Sequence, residues 1–476
     1  MRNRRDFLKM SMVAGSALLV RPPGLLGKTL IKDQADPWDS VPQILSRIKP
    51  PVFPNRDFEV TKFGAVGDGK FDCSQAIQKA IAACQAAGGG RVIVPPGEFA
   101  TGAIHLKSHV NLHISSDATV RFLRDTRKYP LVFTRWEGIE LMNYSPFIYA
   151  FEQENIAISG GGTINGDADC EYWWPWKGRQ KCGWKKGDPS QERDRNALFD
   201  MAERGVPVSE RAFGEGHYLR PQFIQPYRCK NVLIEGVTLK NSPMWQVHPV
   251  LCTNVTVRKM TITGAGPNHD AAPNTDGCDP ESCTDVLIQD CNFNTGDDCI
   301  AIKAGRNADG RRVHMPSQNI VIQGCHMKDG HGGVTIGSEI SGGVRNVFAE
   351  NCRMDSPHLD SAVRIKNNAM RGGLLEGIHV RNIEVGEVAM AGLTIDDFYE
   401  EGEAGKFVPV VRNVDLRNLT MKKAQYALYL RGFKNAPIEN VRLSDCDLAG
   451  VAKPNIIENV IGLEMKNVRI NGKLEE

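Results

Sequence analysis

Asn231-Val232-Leu233-Ile234, Asn254-Val255-Thr256-Val257, Asp285-Val286-Leu287-Ile288, Asn319-Ile320-Val321-Ile322 and Asn346-Val347-Phe348-Ala349 are versions of one phrase. Their first residues are separated by 23, 31, 34 and 27 positions, and the phrase stands again at Asn155, Asn413 and Asn440. Alternation of apolar and open positions between Gly, Asn or Asp is the strand signal. A quasi-period of this size marks a repeat architecture. Several short strands per repeat with no helix between them predict an all-β chain wound as a single-stranded, right-handed parallel β-helix. Leucine-rich repeats fit less well, because neither the Leu spacing nor the shorter period is present. Unequal steps mean that some turns are long loops, which in a solenoid gather on one face and build a site there.

Outward from the repeats the pattern changes twice. Ala76, Ile77, Ala80, Ile81 and Cys84 fall at helical spacing within Ser74 to Ala87, and Gly88-Gly89-Gly90 ends the run. One short amphipathic helix near the N-terminus is the end cap that a solenoid requires. Residues from about Ala168 to Pro221, rich in Trp, Lys, Arg and Asp, break the strand pattern and predict a long surface excursion. The thirteen cysteines include Cys229, Cys252 and Cys283 in a Cys-x-Asn/Asp-Val pattern, and Cys291, Cys325, Cys352 and Cys446 at a second recurring place. Such recurrence predicts buried stacks of small apolar side chains, and no C-x-x-C spacing points to zinc.

The chain has 476 residues, 41% hydrophobic and 24% charged, with 47 Gly and 26 Pro spread along it rather than gathered into a linker. One large domain over 57–476 is expected, after an extension at 29–56. Formal net charge is +2, but the first 21 residues carry Arg2, Arg4, Arg5, Lys9 and Arg21 against Asp6, so the remainder stands near −2. That excludes a bulk positive field for nucleic acid. Arg4-Arg5 with Phe7-Leu8-Lys9, followed by an apolar run from Met10 to Val20, resembles a twin-arginine export signal over 1–28. The run is too short to span a bilayer, which takes roughly 20 apolar residues. A periplasmic or secreted protein with no membrane association in its mature form is expected; an uncleaved anchor is the alternative.

Three acids cluster in the repeats: Asp276, then Asp297 and Asp298 about one coil later. The next coil brings His331 between Gly330 and Gly332, and the one after brings Arg364-Ile365-Lys366, whose two cations share a strand face. Each piece alone fits an ordinary turn or a solvated strand face, and Asp396-Asp397 is read that way; the order and spacing of the whole set point to chemistry. Cleavage of an acidic sugar polymer needs one carboxyl group protonated as acid and one ionised to activate water. Crowding of three carboxylates raises the pKa of one of them, and the cations grip a sugar carboxylate.

Asn274-Thr275-Asp276-Gly277, Gly296-Asp297-Asp298, Gly330-His331-Gly332 and Arg364-Ile365-Lys366, in that order, resemble the four signature motifs of glycoside hydrolase family 28, the polygalacturonases. Thr61 to Gly69 together with Gly88 to Pro95 is similar to the N-terminal coil and cap of that β-helix superfamily. The resemblance implies inverting, single-displacement hydrolysis of α-1,4-linked galacturonic acid, with Asp297 as general acid and Asp276 and Asp298 on the base side. An inverting site is expected to hold acid and base about 6.5–9.5 Å apart. It further implies that His331 tunes the acid and that Arg364 and Lys366 hold the substrate carboxylate. Asn274, Lys303 and, by looser alignment, Tyr399 join the substrate-binding set. No metal or organic cofactor is required, the partner is an acidic plant polysaccharide, and a monomer is expected. Retention of the Asp-Asp pair and of Arg-x-Lys favours homogalacturonan over rhamnogalacturonan. Gly162 to Gly166, Trp173-Trp174, and Asn241-Ser242-Pro243 with Trp245 and His248 resemble the bacterial exo-acting branch. The excursion is expected to wall off one end of the cleft. For Trp173 and Trp174, stacking on sugar rings and simple anchoring of a surface loop both remain open.

Three rival functions stand beside this one: a rhamnogalacturonan or other substituted-pectin hydrolase; a polysaccharide lyase with a calcium site among the acids and Arg364 as base; and a non-catalytic glycan-binding β-helix.

Overall fold

In the computed structural model, which describes residues 36–264 and 272–475, each copy of the repeated phrase is a parallel strand lying over the next copy. The residues after the Asn or Asp stack in register as Ile156, Val232, Val255, Val286, Ile320, Val347, Ile378, Val414, Val441 and Leu463. Two of these coils were not legible as copies because Gly377 and Gly462 stand where the others have Asn or Asp. The backbone explains the exchange. Every one of these positions is left-handed, with φ from 53° at Asn155 to 71° at Gly462, a region open to Gly and tolerated by Asn and Asp. The Asn amides form a ladder: Asn231 donates to Asn155 (2.9 Å), Asn254 to Asn231 (2.7 Å), Asn319 to Asp285 (3.0 Å) and Asn346 to Asn319 (3.1 Å).

A second parallel sheet carries the site. It runs from Ile104–His105 through Ile148–Phe151 and Ile224–Tyr227, continues by single bridges at Val247 and Cys278, and enters Ile300–Ile302, Gly330–Ile336, Leu359–Lys366, Ala391–Asp396, Tyr426–Arg431 and Ile456–Glu458. Between the sheets lies an apolar interior, with Val255, Val286, Ile320 and Val347 at 0% exposure. The architecture is the predicted parallel β-helix, and the predicted capping helix is Ser74–Ala86, burying Ala76, Ile77, Ala80, Ile81 and Cys84. The cysteine stacks are present as buried free thiols: the Cys229 amide donates to Cys252 Sγ and the Cys252 amide to Cys283 Sγ, both at 3.4 Å. Cys446 is buried three coils beyond Cys352 in the same column, with Ile383 and Leu419 between. One pair bonds, Cys170 to Cys182, inside the excursion.

Three features lie outside the sequence reading. An antiparallel hairpin, Leu131–Trp136 with Ile139–Tyr144, rises from the solenoid, and Ala212–Phe213 of the excursion adds a third strand to it. The excursion folds rather than loops, with a helix at Glu192–Glu203. The extension before the solenoid holds a short helix, Val41–Arg47, laid on the outside of the ladder sheet. The export-signal reading of 1–28 falls outside the described residues.

The extension docks where the Asn ladder is interrupted. Asp285 has no amide to donate towards Asn254; the Lys49 amide serves Asn254 Oδ1 instead (2.9 Å), while Asn254 Nδ2 donates to the Lys49 carbonyl (2.9 Å). Arg47 pairs with both oxygens of Asp285, at 2.8 and 2.6 Å. Trp38, Val41 and Ile44 cover Val321 and Phe348, the Trp38 and Phe348 rings lying 5.4 Å apart. Trp38→Ala removes the largest apolar part of this contact. It is expected to strip amide-exchange protection from residues 37–49 while turnover stays at the wild-type level, since the acids sit on the other sheet. Unchanged protection would contradict the clamp.

Candidate active site

Adjacent coils bring the acids together. Cys278 bridges Ile300 in parallel register, which sets Asp276 two residues earlier beside Asp298, and the Gly277 amide bonds the Asp298 carbonyl at 3.0 Å. One oxygen from each of Asp276, Asp297 and Asp298 lies within 4.8 Å of the others. This is closer than the 6.5–9.5 Å expected of acid and base, because the acids sit on neighbouring coils, spaced about 4.8 Å as strands are, or next to one another in sequence.

Around this cluster the next two coils supply cations. His331 Nδ1 lies 2.9 Å from Asp297 Oδ1, and Asn274 Nδ2 donates to Asp297 Oδ2 at 3.3 Å. Lys366 Nζ donates to Asp298 Oδ2 at 2.6 Å, Thr335 Oγ1 to Asp298 Oδ1 at 3.0 Å, and Arg364 stands 3.8 Å from the same oxygen. The glycines of Gly330-His331-Gly332 have a steric reason. A Cβ at Gly330, whose φ is +140°, would meet the Asp297 carbonyl at 2.2 Å, and one at Gly332 would meet Thr335 Oγ1 at 2.1 Å. Tyr399 packs its ring 5.2 Å from Lys366 Nζ and 5.7 Å from the Arg364 guanidinium.

Lys303 and Asn274 belong to the floor and the frame. Lys303 is 3% exposed; its ammonium bonds Glu339 at 3.1 Å, stands 3.6 Å from Asp276 and lies over the Trp245 ring at 4.1 Å. Asn274 accepts from buried Arg220 at 2.8 Å while donating to Asp297. Sequence reasoning missed Glu339, Thr335, Arg220 and Arg306, which enter through ion pairs and hydrogen bonds between distant segments. It also missed Asp279, one residue past the Asn-Thr-Asp-Gly-Cys stretch, whose two buried oxygens have no hydrogen-bond partner.

The electrostatics separate the acids. Burial, then the charges of Asp297 and Asp279, pushes the Asp276 carboxyl well above the usual range. Burial alone would do the same to Asp297, but the His331 imidazolium, with Lys366 and Lys303, brings Asp297 below it. The same pairing raises His331 to about 9. In the unliganded site the crowding proton therefore sits on Asp276, and the Asp297–His331 pair holds a second proton on the imidazole.

The hairpin and the excursion come up to one side of this cluster. The hairpin tip, Glu137-Gly138, reaches it: the Arg306 amide donates to the Gly138 carbonyl at 3.0 Å, Arg195 from the helix Glu192–Glu203 bonds Glu137 at 2.8 Å, and Arg306 bonds Glu339 at 3.3 Å. Phe199 lies between the two arginines, 4.4 Å from Arg195 and 4.1 Å from Arg306. Trp173 is fully buried against Tyr129 and Phe147, and Trp174 Nε1 donates to the Ser242 carbonyl at 2.9 Å. Of the two roles left open for these rings, anchoring is the observed one.

The sequence profile described as glycosyl hydrolases family 28 matches residues 212–467, and one described as rhamnogalacturonase A/epimerase, pectate lyase-like, matches 58–120. A hyperthermoactive exopolygalacturonase from Thermotoga maritima is 45% identical, with a TM-score of 0.88 over 91% of this chain and 96% of that one. A probable polygalacturonase from Vitis vinifera is 28% identical over 408 residues, 82% of this chain and 74% of its own length. The polygalacturonase of Erwinia carotovora ssp. carotovora, at 24% identity and a TM-score of 0.64 over 89% of this chain and 98% of that one, shares the fold. With its four motifs gathered on one face and the family profile spanning more than half its length, the chain belongs to glycosyl hydrolases family 28 as a polygalacturonase-like enzyme.

Proposed function

We propose that the protein removes single galacturonic acid residues from the ends of homogalacturonan or its oligomers, by one displacement at the anomeric carbon. The observation that carries this is the layout of the cleft: three carboxyl groups, two cations and a tyrosine beyond them, and a folded wall on the other side. Arg364, Lys366 and Tyr399 suit a uronate on the open side, and the wall suits a chain end. Asp297 is the most exposed of the three acids, 16% against 3% for Asp276 and 0% for Asp298, and it stands nearest an approaching glycosidic oxygen. It donates the proton it shares with His331.

The separation of the carboxylates is closer to that of retaining enzymes, but Asp298 is a poor covalent nucleophile. It is fully buried, and both its oxygens are engaged, by Lys366 on one and Thr335 on the other. Asp298 instead takes the proton of an attacking water that the Asp276 carboxyl helps to hold, which inverts the anomeric centre. The cluster's charge is met by His331, Lys303, Arg364 and Lys366, so no cation is needed to balance it.

Purified protein incubated with polygalacturonate and a chelator is expected to release galacturonic acid alone from the first time points, its β-anomer appearing first by proton NMR. A ladder of oligomers would overturn the exo reading. The α-anomer first would overturn single displacement, and an unsaturated, ultraviolet-absorbing product would point to the lyase.

Export to the periplasm or beyond is part of the same proposal, supported by the Arg4-Arg5 segment and by the Cys170–Cys182 bond, which suits an oxidising compartment. An Arg4→Lys, Arg5→Lys variant is expected to stay in the cytoplasm, and unaltered export would refute the twin-arginine assignment.

A further inference from the structure

The segment between Cys170 and Cys182 is held from several directions. The disulfide closes it, Trp173 and Trp174 sink into the core, the Gln191 amide donates to the Trp176 carbonyl at 2.6 Å, and the Trp176 ring packs on Trp173, Tyr144 and Tyr218. So much fixation ends in one group with nothing to hold. Lys177 closes the short turn Trp174–Lys177 and is half-buried, yet it makes no hydrogen bond or ion pair with any described residue.

Its surroundings are cationic. The charges that reach Lys177 are Glu137 from the hairpin tip, Arg195 from the helix behind it, Arg220 from the segment leading to Ile224, and Arg179 from its own turn. Glu137 is already bonded to Arg195. Arg220 is committed to Gln191, two carbonyls and Asn274, and Asn274 in turn holds Asp297. Since the Gln191 amide holds the carbonyl of Trp176, the residue before Lys177, and Arg220 joins Gln191 to Asn274 and so to Asp297, Lys177 is carried on a turn tied to the frame of the catalytic carboxyl, with more positive than negative charge among the groups named. Burial, with the arginines, lowers its pKa to about 8 despite Glu137. A bound anion would relieve both conditions.

We propose that Lys177 is the specificity-determining cation of the closed end, pairing with the carboxylate of the chain-terminal sugar so that a free uronic acid is selected over a neutral one. Arg364 and Lys366 lie on the opposite side of the acids and serve a different sugar. The inference rests on the exo-acting reading above, and it adds the group that recognises the terminal residue.

The test compares two trimers, trigalacturonate and its counterpart methyl-esterified at the terminal non-reducing carboxyl, on wild type, Lys177→Met and Lys177→Arg. Wild type is expected to favour the free acid. Lys177→Met should raise KM for the free acid about 10- to 100-fold, as loss of a charged hydrogen bond does, with kcat little changed and the ester unaffected. A folding defect would instead lower the rate on both substrates. The wild-type KM is expected to rise as pH passes 8 and the ammonium loses its proton, and Lys177→Arg should abolish that rise. Retained preference for the free acid in Lys177→Met, or equal losses on the two substrates, would overturn the proposal. If wild type releases no galacturonic acid from trigalacturonate, the exo reading itself has failed, an outcome visible before any variant is made.

Discussion

Asp297→Asn is expected to lower kcat by about 10²- to 10⁴-fold, the usual worth of a positioned proton donor, with KM for oligogalacturonate close to wild type. The amide keeps the size of the carboxyl and its contact with Asn274, so binding survives, but it has no proton to give. The partner should report the change as well. His331 is raised to about 9 chiefly by the charge of Asp297 at 2.9 Å, and the variant removes that charge. The imidazole is therefore expected to titrate at lower pH by NMR. In wild type the Asp297–His331 pair keeps its one shared proton at neutral pH and loses it as pH rises through about 9, so kcat should fall on that alkaline side. Activity of the variant within tenfold of wild type would remove Asp297 from the acid role.

Lys303→Met is expected to be the most damaging single change to stability. Its ammonium is buried between Glu339 and Asp276, with Asp279 close enough to raise its pKa. Taking one partner from a buried ion cluster costs about 3–5 kcal/mol, because the charges left behind remain out of water. The effect should depend on pH with a definite sign. Burial would raise Glu339, but Lys303 and Arg306 hold it below the usual range, so its contribution is present above the ordinary carboxylate pKa and fades as pH falls. In the variant Glu339 takes up a proton more readily. The gap in melting temperature between wild type and Lys303→Met is expected to be wide at pH 7 and narrower at pH 4. Equal melting temperatures at pH 7 would show that Lys303 carries no such burden.

What the sequence made legible follows from what is local or periodic. A residue that tolerates the left-handed corner, most often Asn, with an aliphatic residue after it recurs from coil to coil, so the solenoid could be read from copies such as Asn231, Asn254 and Asn319. Asp276, the pair Asp297-Asp298, His331 and the pair Arg364 and Lys366 were legible together because they fall on successive coils, and the structure gathers all of them. Ion pairs across long intervals leave no such trace: Arg306 meets Glu339 and Glu401 at 3.3 Å each, and no spacing announces it. The hairpin over 131–144 was hidden for a related reason, since its alternating residues resemble a solenoid strand until its antiparallel partner is known. The ionisation order was also beyond reach. Crowding predicted a raised carboxyl, but only the position of His331 decides that it is Asp276 rather than Asp297.

The clamp at residues 37–49 implies an order of assembly. Arg47 meets Asp285 across 238 positions of sequence, and Trp38 rests on Phe348, so its seat does not exist until several central coils have been laid down. Contacts of such range form late, because the intervening chain must first be closed. A stretch made before any coil of the solenoid is thus placed only after the middle coils. Its seating is a stitch that records the completion of the middle of the molecule, and a protease offered the nascent or refolding chain should find residues 37–49 open until that moment and closed after it.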